Sequence, residues 1–158
     1  MQTKALTEFT ETDPLYETIK QVTLMLIKYR DRGSKFDILN PELDDLADDG
    51  KIKHLKEKNY DILFGYKEND IIGVYVYQKN EDGWHMFRVQ TLPGHKDGEI
   101  WNLTLRYLEH VRENCPQKRT RMSKGGHEDL IKLVNILYNR QERLNLKVDK
   151  ETYWVETL

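Results

Sequence analysis

Three runs of β-branched and aromatic residues in the middle of the chain limit its fold more than any other feature. They are YDILFGYK (60–67), IIGVYVYQK (71–79) and WHMFRVQTL (84–92). Only the short polar stretches END and NEDG separate them, and both are good hairpin turns. The sequence therefore predicts three antiparallel strands in a meander.

The residues before the meander predict a strand followed by a helix. A weak alternation at 3–9 is compatible with a first strand, and the run 12–30 has helical periodicity. Thr12 or Asp13 can cap this helix, and Pro14 suits its first turn. Its predicted inward positions are Leu15, Ile19, Val22, Leu26 and Tyr29.

A second, acidic helix is predicted over 40–58. Asn40 is its expected cap and Pro41 its first residue. We expect Gly50 to interrupt it. The positions expected to face inward are Leu43, Leu46 and Leu55.

Two helices and two strands are predicted after the meander. Helices are expected over 98–114, which Pro116 ends, and over 125–141, with strands at 118–122 and 151–158. The inward stripes are Ile100, Leu103, Tyr107, Leu108 and Val111, and then Leu130, Leu133, Val134, Leu137 and Tyr138. The order β-α-α-β-β-β-α-β-α-β predicts an α+β fold around one mixed, mostly antiparallel sheet flanked by helices.

Composition indicates a globular chain. The 158 residues suit one domain spanning 1–158, and 33% charged against 38% hydrophobic residues is not the composition of a disordered chain. A net charge of −2 gives no argument for nucleic acid as a partner. The apolar clusters LMLI and IIGVYVY are too short to span a bilayer, no signal peptide is evident, and Cys115 has no partner for an intrachain disulfide. We expect a cytoplasmic protein.

The stretch TLPGHKDGEIWNLTL (91–105) is the strongest candidate for a binding site. A strand ends at Leu92-Pro93, a turn with two glycines follows, and a helical pattern begins at once. Backbone N–H groups at a helix N-terminus attract anions, so the stretch can hold a phosphate. The alternative is a tight corner between two elements that binds nothing.

The element order and four segments resemble the GNAT superfamily of N-acyltransferases. NYDILFGYKENDIIGVYVYQKN resembles the family's paired strands, with Gly73 after two apolar residues. WHMFRVQTLP resembles the strand that leads to the acyl-CoA loop, with Pro93 where proline is frequent. VNILYNRQERLNL resembles the late helix with its Leu-Tyr pair, here Leu137-Tyr138, and TYWVETL resembles the final strand. The resemblance covers nearly the entire chain.

This resemblance implies an acyltransferase that moves an acetyl group from coenzyme A to a primary amine. Tyr138 would protonate the leaving thiolate, and the ends of the meander strands would splay to admit the pantetheine arm. The implied acetyl-CoA-binding residues are Thr91, Leu92, His95, Lys96, Asp97, Gly98, Glu99, Ile100 and Trp101.

The family signature, Arg or Gln, two residues, Gly, one residue, Gly or Ala, fits the loop in two registers. With Lys96 first, Glu99 and Trp101 occupy the small positions. With His95 first, Gly98 matches and Ile100 occupies the last small position. These departures motivate an alternative: an inactive GNAT-fold protein that serves as a protein-binding or structural subunit.

Other residues carry competing interpretations. Tyr138 could belong to the apolar stripe of its helix instead of a site. A general base could be His85, which alternates with Phe87 and Val89, or Glu81 or Asp82 in the turn before it. Cys115 lies in no nucleophile motif.

Three surface features complete the predictions. The five histidines lack metal-ligand spacing, so no metal is expected. The basic run 117–124 could bind phosphate or nucleic acid, but a positively charged edge strand is the favoured interpretation. The acidic run 42–49 could attract an amine, and an exposed TYWVETL edge could support a homodimer. The acceptor amine stays undefined.

Overall fold

The computed structural model describes residues 1–28, 45–95, 98–122 and 128–158. Within these ranges, four α-helices and seven strands follow one another, with a short 3-10 helix at Leu6–Glu8. In chain order they are β1 (Gln2–Ala5), α1 (Tyr16–Lys28), α2 (Asp48–Glu57), β2 (Tyr60–Lys67), β3 (Asp70–Asn80), β4 (Gly83–Thr91), α3 (Glu99–Asn114), β5 (Arg119–Arg121), α4 (Glu128–Asn139), β6 (Leu146–Val148) and β7 (Trp154–Thr157).

The strands form one mixed sheet in the order β1-β2-β3-β4-β5-β7-β6. The β2–β3–β4 meander is antiparallel, as the hairpin signals predicted. The pair β4–β5 is parallel, and the remaining pairs are antiparallel. The α+β prediction is confirmed.

A β-bulge interrupts the β3–β4 pairing at Phe87. Val76 pairs with Arg88, but Tyr77 pairs with Met86, so Phe87 is the extra residue. Strand residues alternate between the two faces of a sheet, and one extra residue reverses that alternation. His85 and Val89 therefore lie on opposite faces, and the expectation that they alternate on one face is wrong.

Each face of the sheet has its own apolar core. On one face, Tyr75, Tyr77 and Met86 pack with the stripes of α3 and α4, including Tyr107 and Leu137. On the other face, the cluster joins α1 with strand residues from β2 and β3: Ile62, Phe64, Ile71, Val74 and Val76.

Helix α3 is fixed to the sheet by paired hydroxyl groups. The Tyr75 and Thr104 hydroxyls are 2.9 Å apart, and those of Tyr107 and Thr120 are 2.8 Å apart. The two tyrosine rings stack at 4.2 Å. Burial raises the pKa of both phenols, so they are neutral hydrogen-bonding groups. These contacts hold α3 against β3 and β5.

The N-terminal helices differ from prediction at their ends. Asp13 accepts a hydrogen bond from the Leu15 N–H, and α1 begins only at Tyr16. Gly50 lies inside α2 and does not interrupt it; a helical glycine costs about 1 kcal/mol, which tertiary contacts can offset. Leu46, expected to face inward, is exposed because it precedes α2. The expected cap Asn40, Pro41, Leu43 and Tyr29 lie outside the described residues.

The C-terminal strands overturn two expectations about edges. Strand β5 lies between β4 and β7, so its basic residues do not protect an edge. Strand β7 lies between β5 and β6, so TYWVETL is not an exposed edge either. The edge is β6, which the sequence analysis missed because three residues are too few for a periodic signal.

The outward backbone of β6 is already bonded. The Leu146 N–H donates to the Gln141 carbonyl oxygen at 2.8 Å, and the Val148 N–H donates to the Gln141 side-chain oxygen at 3.1 Å. A second chain would have to displace Gln141 to pair with this edge. Pairing through an exposed TYWVETL edge therefore no longer supports a homodimer. The homodimer itself stays a prediction.

Candidate functional site

On the side that faces β5, residues 86–91 of β4 have no strand partner among the described residues, because β5 ends at Arg121. Strand β4 runs from Gly83 to Thr91, but among the described residues it pairs with β5 only at Trp84 and His85. The bulge at Phe87 follows directly after this pairing ends. We call the space between 86–91 of β4 and the end of β5 the β4–β5 opening.

Backbone groups of β4 line this opening. The Leu92 N–H donates to the Ile72 carbonyl oxygen at 2.8 Å, so Leu92 bonds toward β3. Bonding direction alternates along an antiparallel strand, so the backbone groups of Val89 and Thr91 point away from β3. They face the opening, where β5 no longer pairs with them.

The loop after β4 is a tight turn with space above it. The His95 N–H donates to the Leu92 carbonyl oxygen at 3.1 Å, and Gly94 has φ of 91°, which favours glycine. Gly98 precedes α3 in right-handed helical geometry. A methyl group at Gly94 or Gly98 would meet no heavy atom within 4 Å. Lys96 and Asp97 lie outside the described residues.

The histidine of the loop is already engaged. His95 Nε2 lies 3.1 Å from Oδ2 of Asp70, the first residue of β3. In the register that places His95 first, the signature residue is therefore already in contact with a carboxylate. His95 and Asp70 are 25 residues apart in the chain, so no local sequence pattern predicts their contact.

The first turn of α3 carries the other predicted loop residues. Glu99 accepts a hydrogen bond from Asn102 at 3.3 Å, and the Ile100 carbonyl oxygen accepts one from the Thr104 hydroxyl. Trp101 packs against the core on the α3 side, and the Arg140 guanidinium lies 5.0 Å from its ring centroid. This contact places the end of α4 beside the start of α3.

Tyr138 lies at the surface of α4. Its exposed fraction is 38%, and its ring centroid is 4.2 Å from Lys150 Nζ. The interpretation that Tyr138 is a core residue is therefore wrong, whereas Leu133, Val134 and Leu137 of the same stripe are buried. No contact between Tyr138 and the described residues of the loop is recorded.

His85 is the most buried titratable side chain beside the opening. It is 5% exposed, and its Nε2 lies 2.8 Å from Asp82 Oδ1. Its Nδ1 is buried and has no hydrogen-bond partner among the described residues. The hydrogen bond to His85 lowers the pKa of Asp82. A carboxylate that accepts from Nε2 leaves Nδ1 as the free lone pair of a neutral imidazole.

Glu81 and Cys115 are less suited than His85 to act as a general base or a nucleophile. For Glu81 the structure records a backbone contact, in which its carbonyl oxygen accepts from Gln117 at 2.6 Å. Cys115 is buried, and its thiol donates to Gln117 and to the Arg119 carbonyl oxygen. No described group of three or more acidic, histidine or cysteine side chains could hold a metal ion. In the described part of the chain, no helix is long and apolar enough to cross a membrane.

Several solved structures are similar to this chain. A protein of Desulfovibrio desulfuricans, assigned as a GNAT-family acetyltransferase, has a TM-score of 0.50 and 14% identity, covering 94% of this chain and 87% of its own. One of Bacteroides thetaiotaomicron with the same assignment has a TM-score of 0.43 and 16% identity, covering 89% and 70%. Escherichia coli ElaA has a TM-score of 0.39 and 13% identity, covering 94% and 88%.

In sequence, the chain matches no protein-family model and no curated protein. At 14% identity, the likeness to the Desulfovibrio protein establishes the fold alone. The chain has the GNAT fold, as the resemblance in its sequence predicted.

Proposed function

We propose that this GNAT-fold chain is an N-acyltransferase that moves an acetyl group from coenzyme A to a primary amine. The β4–β5 opening carries the proposal. Beyond His85, the backbone groups of β4 that point away from β3 have no strand partner among the described residues. Such groups stabilise a ligand that has amides of its own, as the pantetheine arm of coenzyme A does.

The donor would bind along β4 and end over the loop. Val89 and Thr91 would bond the pantetheine amides, because their backbone groups face the opening. The open space above Gly94 and Gly98 admits a pyrophosphate close to the N–H groups that begin α3. Glu99 opposes this binding, since a carboxylate near a phosphate costs about 1 kcal/mol at an exposed site.

The proposed chemistry uses His85 and Tyr138. The amine nitrogen forms a bond to the thioester carbonyl carbon, and the carbon–sulfur bond breaks. His85 Nδ1 takes the proton that the amine loses, directly or through a water, while Asp82 holds the ring at Nε2. The Tyr138 hydroxyl gives a proton to the leaving thiolate. The exposed position of Tyr138 supports this role, because a buried phenol could not reach a ligand.

Isothermal titration calorimetry with acetyl-CoA tests the proposal. We expect saturable binding and a rise in melting temperature, because a ligand that binds only the folded state stabilises it. Desulfo-coenzyme A should bind similarly, since it keeps the pyrophosphate and both amides. The absence of heat and of a thermal shift at millimolar acetyl-CoA would remove the enzyme hypothesis.

The second candidate function is a GNAT-fold subunit that binds a partner and not coenzyme A. Two observations favour it: His95 is held by Asp70, and Glu99 occupies the first turn of α3. This candidate predicts that Asp70→Asn leaves acetyl-CoA binding absent. Recovery of binding in that variant would instead identify the His95–Asp70 ion pair as an inhibitory contact within an acyltransferase.

A further inference from the structure

The basic residues of β5 lie on the face of the sheet opposite α3 and α4. Thr120 is buried and bonds Tyr107 of α3, so its neighbours Arg119 and Arg121 point to the other face. Trp154, which pairs with Arg121, lies on this same face because Val155 belongs to the α3-side core. We call this face of β4, β5, β7 and β6 the polar face.

Both arginines of β5 are held through one nitrogen. Arg119 Nε donates to the Asp82 carbonyl oxygen at 2.6 Å, and its guanidinium stacks 4.1 Å from the Trp154 ring centroid. Arg121 Nε donates to the Thr152 carbonyl oxygen at 3.1 Å. A guanidinium fixed through Nε still presents its two terminal NH2 groups, which match the oxygens of a carboxylate or a phosphate.

A third arginine faces the same side across the β4–β5 opening. Arg88 pairs with Val76, whose side chain belongs to the α1-side cluster, so Arg88 lies on the polar face. It is partly exposed, and no ion pair or hydrogen bond of its guanidinium is recorded with a described residue. His85 pairs directly with Arg121 and also lies on this face.

We propose that the acceptor of the acyl group carries an anionic group, a carboxylate or a phosphate, which Arg88 and Arg121 bind at the mouth of the β4–β5 opening. The two arginines lie on neighbouring strands, with His85 directly opposite Arg121 and three residues before Arg88 on β4. An anion held there brings its own amine toward His85 Nδ1. This inference rests on the proposed acyl transfer and specifies its acceptor.

The charge balance of the polar face agrees with an anionic acceptor. Arg119 and Lys147 add positive charge beside Arg88 and Arg121. The acidic residues there are Asp82, which is bonded to His85, and Glu156, which lies opposite Arg119 in the sheet. Among the described residues of these four strands, positive charge therefore exceeds negative charge on the polar face.

Nitrogen-15 NMR of the arginine Nε–H groups tests the anion site directly. The purified chain is titrated separately with inorganic phosphate and with sodium acetate, at constant ionic strength maintained with chloride. We expect saturable shifts at Arg88 and Arg121 but not at Arg143, an exposed arginine that follows α4. Tighter binding of one anion identifies its class. Shifts that do not saturate, or that are equal at Arg143, overturn the proposal.

An acceptor panel tests the role in catalysis. Amines are offered with acetyl-CoA in matched pairs: glycine with glycinamide, and phosphoethanolamine with ethanolamine. We expect kcat/KM to be roughly tenfold or more higher for the charged member. Arg121→Lys, which keeps the charge but loses the planar fork, should abolish that preference by raising KM, whereas Arg143→Gln should not.

The two proposals fail differently. If acetyl-CoA binds but neutral amines are acetylated as well as their charged partners, the anionic acceptor is wrong and the acyltransferase stands. If acetyl-CoA does not bind, the acyltransferase is wrong and the role of the arginines in acceptor binding falls with it. The titration decides the anion site even when no amine of the panel is acetylated.

Discussion

Gly73 and Gln90 approach so closely that no other residue fits at position 73. A methyl group at Gly73 would lie 2.8 Å from the Gln90 carbonyl oxygen and 3.2 Å from a methyl group of Leu103. Backbone cannot move aside as a flexible side chain can, so β3 and β4 would have to separate. We expect Gly73→Ala to lower the free energy of unfolding by about 1–3 kcal/mol, measured by urea denaturation.

Gly98→Ala should have the opposite effect on stability. Position 98 has right-handed helical geometry and open space, so alanine fits and restricts the unfolded chain. We expect a gain of about 0.4–1 kcal/mol in the free energy of unfolding. If a pyrophosphate approaches this backbone, the same variant should bind acetyl-CoA more weakly. Unchanged affinity in calorimetry would contradict the placement of the phosphate at Gly98.

Asp82→Asn tests whether His85 accepts the proton. The asparagine oxygen can still accept from Nε2, but the negative charge that stabilises a protonated imidazole is lost. We expect a lower kcat with little change in acetyl-CoA affinity, measured by steady-state kinetics and calorimetry. His85→Gln should lower kcat by about 10²- to 10⁴-fold. An unchanged kcat in Asp82→Asn would show that the pair is structural.

Tyr138→Phe separates catalysis from binding. Removing the hydroxyl removes the proposed proton donor, so we expect kcat to fall by about 10²- to 10⁴-fold with little change in acetyl-CoA affinity. Tyr16→Phe, at the start of α1, is the matched control and should keep full turnover. Equal turnover in the two variants would exclude Tyr138 from the mechanism.

His110 should make the fold sensitive to acid. Its Nε2 lies 3.0 Å from the Tyr77 hydroxyl, and burial lowers its pKa. Below about pH 6.5 the unfolded chain binds a proton at His110 that the folded chain binds less readily. Stability therefore falls as pH drops from this value toward the lower pKa of the folded state. Urea denaturation at pH 7.5 and 5.5 should show a smaller loss for His110→Gln than for the control His54→Gln.

Much of the fold is readable from local patterns. The meander, α3 and α4 follow from alternation over neighbouring residues and from apolar residues at helical spacing. The buried stripe of Leu103, Tyr107, Leu108 and Val111 lies where that spacing predicts it. Boundaries were less accurate, since α1 and α2 begin at Tyr16 and Asp48, later than their capping signals indicated.

Only part of the candidate site could be predicted from the sequence. The glycine turn and Tyr138 carry local signals, and the structure gives them open space and an exposed surface respectively. The bulge at Phe87 carries no such signal, because it depends on how β3 aligns with β4. Without the bulge, His85 and Arg88 could not lie on one face.

The sequence by itself determined the kind and order of the principal elements, because helix and strand periodicities are set by residues close together in the chain. Only the tertiary structure decided that β5 enters the sheet beside β4, that their described pairing ends at Arg121, and that Arg88 and Arg121 lie on the same face. The strand pairings involved bring together residues that are far apart in the chain: Trp84 pairs with Thr120, and Arg121 pairs with Trp154. Pairing across such distances is chosen by the burial and hydrogen bonding of the whole sheet, which no local pattern records.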